Sequence, residues 1–261
     1  MCMKNAMVRC FIIALVCAGG VCAHAQSSKN QKAFGLGERL VFDLKYGFIK
    51  AGEAVMAIPA YEWVEGHQCM NVKFTVKSTP TFSFFFEVVD RYETFLDVNE
   101  IYPWRFEQHI REGKYTRDFS AIFDQHAHVA KTTEGNFPIP ANVHDILSAF
   151  YFARTLDYSR SHPGEKIMLN NFYKDTTYPL AIKFLGRQSV DVNAGTFNCI
   201  IVEPMVQEGG LFKSDGRIIL WMTDDERKMP VKVSTKVLVG SITAELSEYS
   251  GLQGPVPSKT D

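Results

Sequence analysis

The amino-acid sequence predicts a mainly β protein, in which a strongly curved antiparallel sheet or open barrel made of two related halves is covered by one or two helices. Apolar and polar residues alternate along most of the chain, which is typical of strands with one buried face. Two segments have convincing helical spacing, and an ordered set of Gly, Cys, Asp, Pro and Gly residues occurs twice. Each of these observations is developed below.

The N-terminus has the features of a secretory signal peptide over residues 1–25. Lys4 and Arg9 precede an apolar run, and Ala23-His24-Ala25 has the small-x-small form of a cleavage site before Gln26. The apolar run is shorter than the roughly 20 residues of a transmembrane helix. We therefore expect a periplasmic or secreted protein that does not span the membrane.

The remainder of the chain has the length of one β-rich domain, expected over residues 34–249. Residues 26–33 and 250–261 lack apolar periodicity, and we expect both segments to be flexible. Removal of the signal peptide takes two basic residues from the 28 in the chain and leaves 26 against 29 acidic residues, a net charge of −3. Because no basic stripe is left, nucleic acid is not an expected partner.

The strands are predicted from two-residue periodicity. In "RLVFDLKYG", Leu40, Phe42 and Leu44 share one face, and in "QCMNVKFTVKS" either Cys69 or Met70 leads the apolar face. The segments "RIILWMT", "KVSTKVLV" and "SITAELSEY" continue this pattern near the C-terminus. Turn residues separate the apolar runs, and there is no helix between successive strands, so the pattern indicates an antiparallel meander.

The two helical segments are expected on the open side of the sheet. Residues 145–156, "DILSAFYFARTL", place their apolar side chains at helical spacing. A shorter helix is predicted to begin at Thr79-Pro80, because a Thr cap followed by proline in the first turn is a helix start signal.

The repeated motif is carried by "FLDVNEIYPWRF" and "LWMTDDERKMPVKV", in which an Asp stands six residues before a Pro. The two sets are Gly66, Cys69, Asp97, Pro103, Gly113 and Gly195, Cys199, Asp224, Pro230, Gly240. Asp accepts hydrogen bonds from turn amides and Pro suits the first residue of a strand, so we interpret the acidic run as a turn. The alternative is a metal or acid–base site at Asp224 and Asp225.

These motifs together resemble a bacterial family of exported proteins, domain-of-unknown-function family 3108. The resemblance is carried by "GERLVFDLKYGFIKAGEAVM", "VVDRYETFLDVNEIYPWRFEQHIREGKYTRDFSAIFD", "DILSAFYFART", "GTFNCIIVEP", "LWMTDDERKMPVKV" and "GSITAEL". It implies an envelope protein and brings no activity with it. The pattern also looks like the half-barrels of periplasmic lipoprotein carriers and envelope-stress sensors, which is an analogy of fold.

Catalytic motifs are missing from the sequence: it has no G-x-S-x-G, H-E-x-x-H, P-loop or dinucleotide-binding pattern. Ser148 lies close in sequence to His144 and Asp145, but residues so close together on one helix do not build a triad. His126 and His128 share one face of a predicted strand, a spacing that is found in some metal sites. No cofactor and no metal are predicted.

Charged residues on the predicted strands are the candidate polar anchor of a ligand site. Asp90 and Arg91 face opposite sides of a strand, as do Arg111 and Glu112, so one member of each pair is expected to point inward. Buried charges need partners, so a cross-strand network of Asp90 or Glu112 with Arg111 or Arg154 is expected. The alternative to a ligand anchor is a structural salt-bridge network.

Aromatic residues supply the candidate lining of an apolar cavity; they are Phe82, Phe84, Phe85, Phe86, Phe150 and Tyr151. The alternative is that these residues fill the core between helix and sheet. An apolar pocket of roughly 300 Å³ or more would favour ligand binding over a filled interior.

The leading hypothesis is therefore a non-catalytic binding or assembly module of the envelope, whose partner is a lipid, another hydrophobic small molecule or an envelope protein. The alternatives are an enzyme with an unrecognised acidic and histidine site and a structural partner-binding protein. The two cysteines outside the signal peptide, Cys69 and Cys199, are expected to be free and buried thiols.

Overall fold

The computed structural model describes residues 32–205, 217–236 and 241–261. The predicted signal peptide with its cleavage site at Ala25 and Gln26, residues 26–31 of the expected N-terminal segment, and Gly240 of the repeated motif lie outside the described residues. Within the described ranges, no helix is both long and apolar enough to cross a membrane.

The described chain forms one sheet of 15 strands with two helices, which confirms the predicted fold class. The strands are β1 (Arg39–Tyr46), β2 (Ile49–Val64), β3 (His67–Ser78), β4 (Val89–Asp97), β5 (Pro103–Glu112), β6 (Tyr115–Asp124), β7 (Val129–Thr132), β8 (Gly135–Pro138), β9 (Val143–His144), β10 (Lys166–Tyr173), β11 (Thr176–Val192), β12 (Gly195–Met205), β13 (Ile218–Thr223), β14 (Pro230–Lys236) and β15 (Ser241–Ser250). The helices are α1 (Pro80–Ser83) and α2 (Ile146–Arg154).

The sheet curls into an open barrel. Its strand order is β8-β7-β6-β5-β4-β3-β2-β1-β15-β14-β13-β12-β11-β10-β9, and all pairs are antiparallel except β9 with β10. Although they come from opposite ends of this order, Phe123 of β6 and Phe172 of β10 have ring centroids 5.7 Å apart. The Gln125 side-chain amide donates to Pro103 O and Val143 O, at 3.0 Å each, and so bridges the gap with β9. Side chains thus join the two edges, which share no ladder.

The predicted alternation places the core on the concave face. Leu40, Phe42 and Leu44 of β1 are all buried, as expected. On β3 it is Met70 that joins the main core, whereas Cys69 belongs to a small separate cluster with Phe95 and Trp104. This second cluster exists because adjacent residues of a strand face opposite sides of the sheet.

The two halves of the barrel are β1–β6 and β10–β15. Each half is a six-stranded meander whose second strand is the longest, with 16 residues in β2 and 17 in β11. The strands of both halves are arranged around the sheet in the same direction, from β6 to β1 and then from β15 to β10. The pairing of β1 with β15 joins the two halves. Strands β7 to β9 and helix α2 are inserted between the two halves in the chain.

The repeated motif occupies equivalent positions in β3–β5 and β12–β14, but its register differs from the sequence alignment by one residue. Asp97 N donates to Tyr102 O in the first half, and Thr223 N donates to Met229 O at the same place in the second half. Likewise, Val98 N donates to Gln68 O in the first half, and Asp224 N donates to Asn198 O in the second. Thr223, not Asp224, is therefore the counterpart of Asp97, while Cys69 and Cys199 do correspond. The second turn is one residue longer, a difference that the equal Asp-to-Pro spacing conceals.

Both predicted helices are present. Helix α1 is capped by Thr79, whose side chain accepts a hydrogen bond from Phe82 N, and it has proline in its first turn. Helix α2 is capped by Asp145, which accepts from the amides of Leu147 and Ser148. Asp and Thr are strong caps because their oxygens satisfy amides that have no partner within the helix.

The C-terminal segment 250–261, for which the sequence predicts flexibility, lies along the outside of the second half. Asn198 N donates to Ser258 O at 2.8 Å, and Thr260 N donates to Thr196 O at 2.9 Å. The guanidinium of Arg227 donates to Pro255 O at 2.8 Å and also to Gln253 O. The structure thus differs from the prediction here, because backbone hydrogen bonds hold a segment that has no apolar periodicity of its own.

Candidate functional site

Helix α2 lies against the concave face and is held at both ends. At its start, Thr94 Oγ1 of β4 donates to the cap carboxylate of Asp145 at 2.6 Å. At its end, Arg154 is paired with Glu38, which precedes β1. Because both anchors are buried, the position of the helix relative to the first half of the barrel is fixed by polar contacts as well as by packing.

A cavity of about 120 Å³ lies between α2 and the sheet. Its walls come from both halves of the barrel and are almost entirely apolar. The helix contributes Ile146, Leu147, Ala149, Phe150 and Ala153, the first half contributes Phe42, Met56, Phe74 and Tyr92, and the second half contributes Leu180, Ile182, Val202, Pro204, Ile218, Leu220, Met222, Pro230 and Val233. An apolar cavity of about 150 Å³ is known to stay dry and to admit benzene, so this volume suits a small apolar group.

One side of the cavity is more open than the rest. Ile146, Phe150, Pro204 and Val233 are partly exposed, whereas most of the other lining side chains are buried. We take these four residues as the rim through which an apolar group would enter. The volume itself is below the roughly 300 Å³ that we set as the mark of a ligand pocket.

Polar side chains lie beside the cavity on β4 and β5. Asp90, Gln108 and Glu112 are buried on the same inner face as Tyr92, which lines the cavity. Asp90 accepts a hydrogen bond from Arg111 N at 2.9 Å, and its second carboxylate oxygen has no partner among the described residues. Burial raises the pKa of Asp90 to about 6, although the Arg111 amide opposes this shift. The carboxyl group of Asp90, which lies beside the cavity, therefore titrates near pH 6.

Arg154 is the last residue of α2 and is buried, and each of its three side-chain nitrogens already donates a hydrogen bond within the protein. It forms a two-point pair with Glu38, with Nη1 to Oε1 at 2.7 Å and Nη2 to Oε2 at 2.8 Å. Its Nη2 also donates to Ala33 O at 2.9 Å and its Nε to Arg227 O at 3.3 Å. Burial opposes the charge of Arg154, but the Glu38 carboxylate outweighs it and raises the pKa of the guanidinium. Arg154 thus has a structural role.

Comparison with known proteins identifies the family. The sequence profile of the family described as "Protein of unknown function (DUF3108)" matches residues 41–247, which is most of the chain. The chain belongs to the DUF3108 family. No functionally curated protein matches its sequence.

This DUF3108 protein is similar to solved structures at low sequence identity. A β-barrel-like protein of domain of unknown function DUF1849 from Brucella abortus has a TM-score of 0.54 and 10% identity, over 82% of this chain and 96% of that chain. A protein from Parabacteroides distasonis, provisionally described as a lipoprotein, has a TM-score of 0.38 and 11% identity, over 87% of this chain and 100% of that chain. The first likeness supports the barrel-like fold, and neither carries information on activity.

The aromatic candidates of the DUF3108 chain lie in three different environments: the cavity lining, the core and the solvent-exposed surface. Phe150 lines the cavity, and Tyr151 is buried beside Phe34, with ring centroids 4.8 Å apart. Phe84 and Phe85 are exposed to solvent, at 86% and 74%. Phe82 and Phe86 are partly buried near α1, and neither belongs to the cavity lining. The α1 segment therefore does not cover this cavity.

The charged candidates are divided between the two faces of the sheet. Asp90 and Glu112 are buried on the inner face, while Arg91 and Arg111 are exposed, as the alternation of a strand requires. Arg111 pairs with Asp118 at 2.8 Å on the outside. Of the expected network, the Arg154 part is wrong, because the carboxylate that binds Arg154 is Glu38. Arg111 does contact Asp90, but through its backbone amide and not its guanidinium.

The acidic run forms the turn that the sequence predicts, and the aspartate that shapes it is Asp225 rather than Asp224, the Asp of the repeated motif. Asp225 Oδ1 accepts from Thr223 Oγ1 at 2.8 Å and from Arg227 N at 2.9 Å, and its Oδ2 accepts from Ser258 N at 3.2 Å. Asp224 instead forms an ion pair with Arg187 at 2.7 Å at the surface. Asp225 is thus the residue that shapes the turn and ties the C-terminal segment to it.

The histidine candidates do not form a site of their own. His126 and His128 lie in the turn between β6 and β7, and both are exposed. The ring of His126 is 5.6 Å from Trp104 and 6.0 Å from His67. Within the described part of the chain, no group of three or more His, Cys, Asp or Glu residues could hold a metal ion.

The serine candidate is used to stabilise the start of α2. Ser148 is fully buried, and its hydroxyl donates to Asp145 O at 3.1 Å rather than to His144. Burial lowers the pKa of His144 to about 3, so this imidazole is neutral at ordinary pH. The geometry is that of a helix cap.

Sequence reasoning missed several residues that matter to the site. Tyr92 and Met222 line the cavity, and Glu38 fixes the end of α2. Met222 lies on the inner face of an alternating strand, so its position in "RIILWMT" was a usable signal. Glu38 had no such signal, because a charged residue beside a glycine usually reads as a surface turn.

Proposed function

We propose that this DUF3108 protein is an exported protein of the cell envelope that binds an apolar group in the cavity between α2 and the sheet. The observation that carries the proposal is the apolar lining of that cavity by side chains from both halves of the barrel. Export is supported by the basic, apolar and small-x-small sequence of residues 1–25. We place the protein in the periplasm or outside the cell.

The ligand class follows from volume and lining. About 120 Å³ accommodates a benzene-sized group or the end of an acyl chain, and nothing larger unless α2 moves. Because Asp145 and Arg154 fix both ends of α2, such a movement would break buried polar contacts. We therefore propose a small apolar molecule, or the terminal part of a longer lipid whose remainder leaves through the rim.

A cavity-filling substitution tests this proposal. Ala149 lines the cavity and is 1% exposed, so Ala149→Leu places its added carbon atoms inside the cavity. Ala60→Leu is the matched control, because Ala60 lies on β2 outside the lining and is partly exposed. Ala153→Met fills the same cavity with a more flexible side chain, in case Ala149→Leu strains the helix.

The readouts are thermal unfolding with and without benzene, and native mass spectrometry of protein purified from the periplasm followed by solvent extraction. A ligand that binds the folded state raises Tm by mass action. We expect benzene to raise the Tm of the unmodified protein and of Ala60→Leu, and to leave the Tm of Ala149→Leu and Ala153→Met unchanged. An equal rise in all four proteins, or no rise in any, would refute binding in this cavity.

A structural role in binding an envelope protein is the second candidate. It is favoured by the cavity volume, which is below the size of most ligand pockets. Protein that purifies without extractable lipid, together with a Tm that does not respond to benzene, would support this second candidate over the first.

A further inference from the structure

One end of the barrel carries an exposed apolar patch that the cavity does not explain. We name it the apolar tip and define it as Phe48, Ile49, Phe84 and Phe85. The exposed fractions of these side chains are 106%, 65%, 86% and 74%. Large apolar side chains that are this exposed, on two turns at the same end of the barrel, are unusual on a soluble surface and mark an interaction site.

The apolar tip combines two separate turns. Phe48 and Ile49 lie at the turn between β1 and β2, where Tyr46 is the pairing partner of Ile49. Phe84 and Phe85 follow α1, and their rings pack edge to face with centroids 5.3 Å apart. The backbone hydrogen bond from Thr79 N to Ala51 O, at 2.9 Å, brings the start of α1 beside β2, two residues from Ile49.

The second turn is held in place, so the exposure of its aromatic residues is built into the fold. Ser83 N donates to Thr79 O at 2.8 Å, and Phe86 N donates to Phe82 O at 2.9 Å. Phe86 packs inward against Gly113, where an added Cβ would lie 2.8 Å from the Phe86 ring. Gly113 also has a φ of +58°, which favours glycine. The segment thus packs Phe86 inward and directs the two residues before it, Phe84 and Phe85, outward.

Exposed charges of both signs surround the apolar tip, and Glu53 lies opposite Lys77 on the neighbouring strand. Lys50 and Lys77 lie on the strands beside the two turns, and both are exposed. The turn between β5 and β6 adds Lys114, because Gly113 N donates to Glu87 O at 2.8 Å and holds that turn against the α1 segment. Glu87 is the exposed carboxylate in the same loops, and Lys50 also pairs with Asp43.

We propose that the apolar tip docks the protein on the surface of an anionic lipid bilayer. Phe and Ile side chains that project singly from two turns enter the interface between headgroups and acyl chains, while lysines beside them attract anionic lipids. The tip presents projecting side chains rather than a groove, and this shape suits a fluid surface better than the fixed contour of a protein partner.

Vesicle co-sedimentation tests the proposal with the purified protein. Vesicles of phosphatidylethanolamine and phosphatidylglycerol are the anionic surface, and phosphatidylcholine vesicles are the uncharged reference. The variants are Phe84→Ser with Phe85→Ser, and Lys77→Gln with Lys114→Gln. Trp63→Ser is the matched control, because Trp63 is 73% exposed but lies at the opposite end of the 16-residue strand β2 from Ile49. All substituted side chains are exposed, so folding is expected to be retained.

We expect the double Phe variant to bind anionic vesicles at least about tenfold more weakly than the unmodified protein and Trp63→Ser. The double Lys variant should bind anionic vesicles only as weakly as it binds phosphatidylcholine vesicles, because it keeps the apolar side chains and loses the attraction to anionic lipids. Added salt should reduce the binding of the unmodified protein because it screens exposed charges. The absence of vesicle binding, or an equal loss in Trp63→Ser, would overturn the proposal and favour a protein partner or a non-functional surface.

Discussion

Replacement of Arg154 by methionine should destabilise the protein strongly, because it leaves the Glu38 carboxylate buried without its partner. The two side chains are 0% and 1% exposed, and the pair has two short hydrogen bonds. Removal of one member of a buried ion pair costs about 3–5 kcal/mol. Ala33 O and Arg227 O also lose their donor, although water that enters the site would restore part of this loss.

The same reasoning predicts strong coupling between the two side chains. Glu38→Gln combined with Arg154→Met removes both charges, and a buried pair that is replaced as a whole costs much less than the loss of one partner. The double variant should therefore be less destabilised than the sum of the two single variants, with a coupling energy of about 1–3 kcal/mol.

Urea unfolding followed by far-ultraviolet circular dichroism measures these free energies. Arg187→Met is the control, because Arg187 forms an ion pair with Asp224 at the surface, and exposed pairs contribute about 0–1 kcal/mol. A cost below about 1 kcal/mol for Arg154→Met, or simple additivity in the cycle, would refute the view that this pair fixes the end of α2.

Three further measurements test the turn, the buried carboxyl and the thiols. Asp225→Ala should lower the free energy of unfolding by about 1–3 kcal/mol, because it removes three hydrogen bonds. Asp224→Ala, which removes a surface ion pair, should lower it by at most about 1 kcal/mol. Equal losses of stability in urea unfolding would contradict the assigned roles. Because the folded protein keeps the proton of Asp90 up to pH 6 or so, while an unfolded Asp releases it near 3.9, the contribution of Asp90 to the free energy of unfolding should fall as pH rises from about 4 to 7, by at most about 3 kcal/mol. Asp90→Asn should remove this fall, and an unchanged pH profile would contradict the assignment. Cys69 and Cys199 are free and buried, and burial raises the pKa of each thiol to about 12. Intact mass should therefore show that both are alkylated under denaturing, non-reducing conditions and that neither is alkylated in the folded protein.

The strands and helix starts could be predicted because their signals are local. The alternation of Leu40, Phe42 and Leu44 predicts one buried face of β1 without knowledge of which element packs against that face. The caps Thr79 and Asp145 bond only to amides within the first turn of the helix that each begins. The repeated Cys and Pro positions likewise indicated two related halves, because a duplicated meander keeps its turn residues.

The details of the turn could not be predicted from spacing. The equal Asp-to-Pro distance aligned Asp97 with Asp224, but the hydrogen bonds match Asp97 with Thr223 and give the shaping role to Asp225. One extra residue in the second turn is enough to shift the register, and which carboxylate meets the amides depends on the backbone path.

The sequence by itself determined the β class, the two halves and the two helices, and it predicted that one member of each pair, Asp90 or Arg91 and Arg111 or Glu112, faces inward, since each of these features depends on neighbours along the chain. Only the tertiary structure decided which distant side chains meet. Arg154 pairs with Glu38, 116 residues away, rather than with the carboxylates of β4 and β5. Phe84 and Phe85, which follow α1, point to solvent, while a cavity forms elsewhere between α2 and the sheet. Periodicity fixes which face a residue occupies, but the curvature of the sheet and the path of the chain determine what that face contacts.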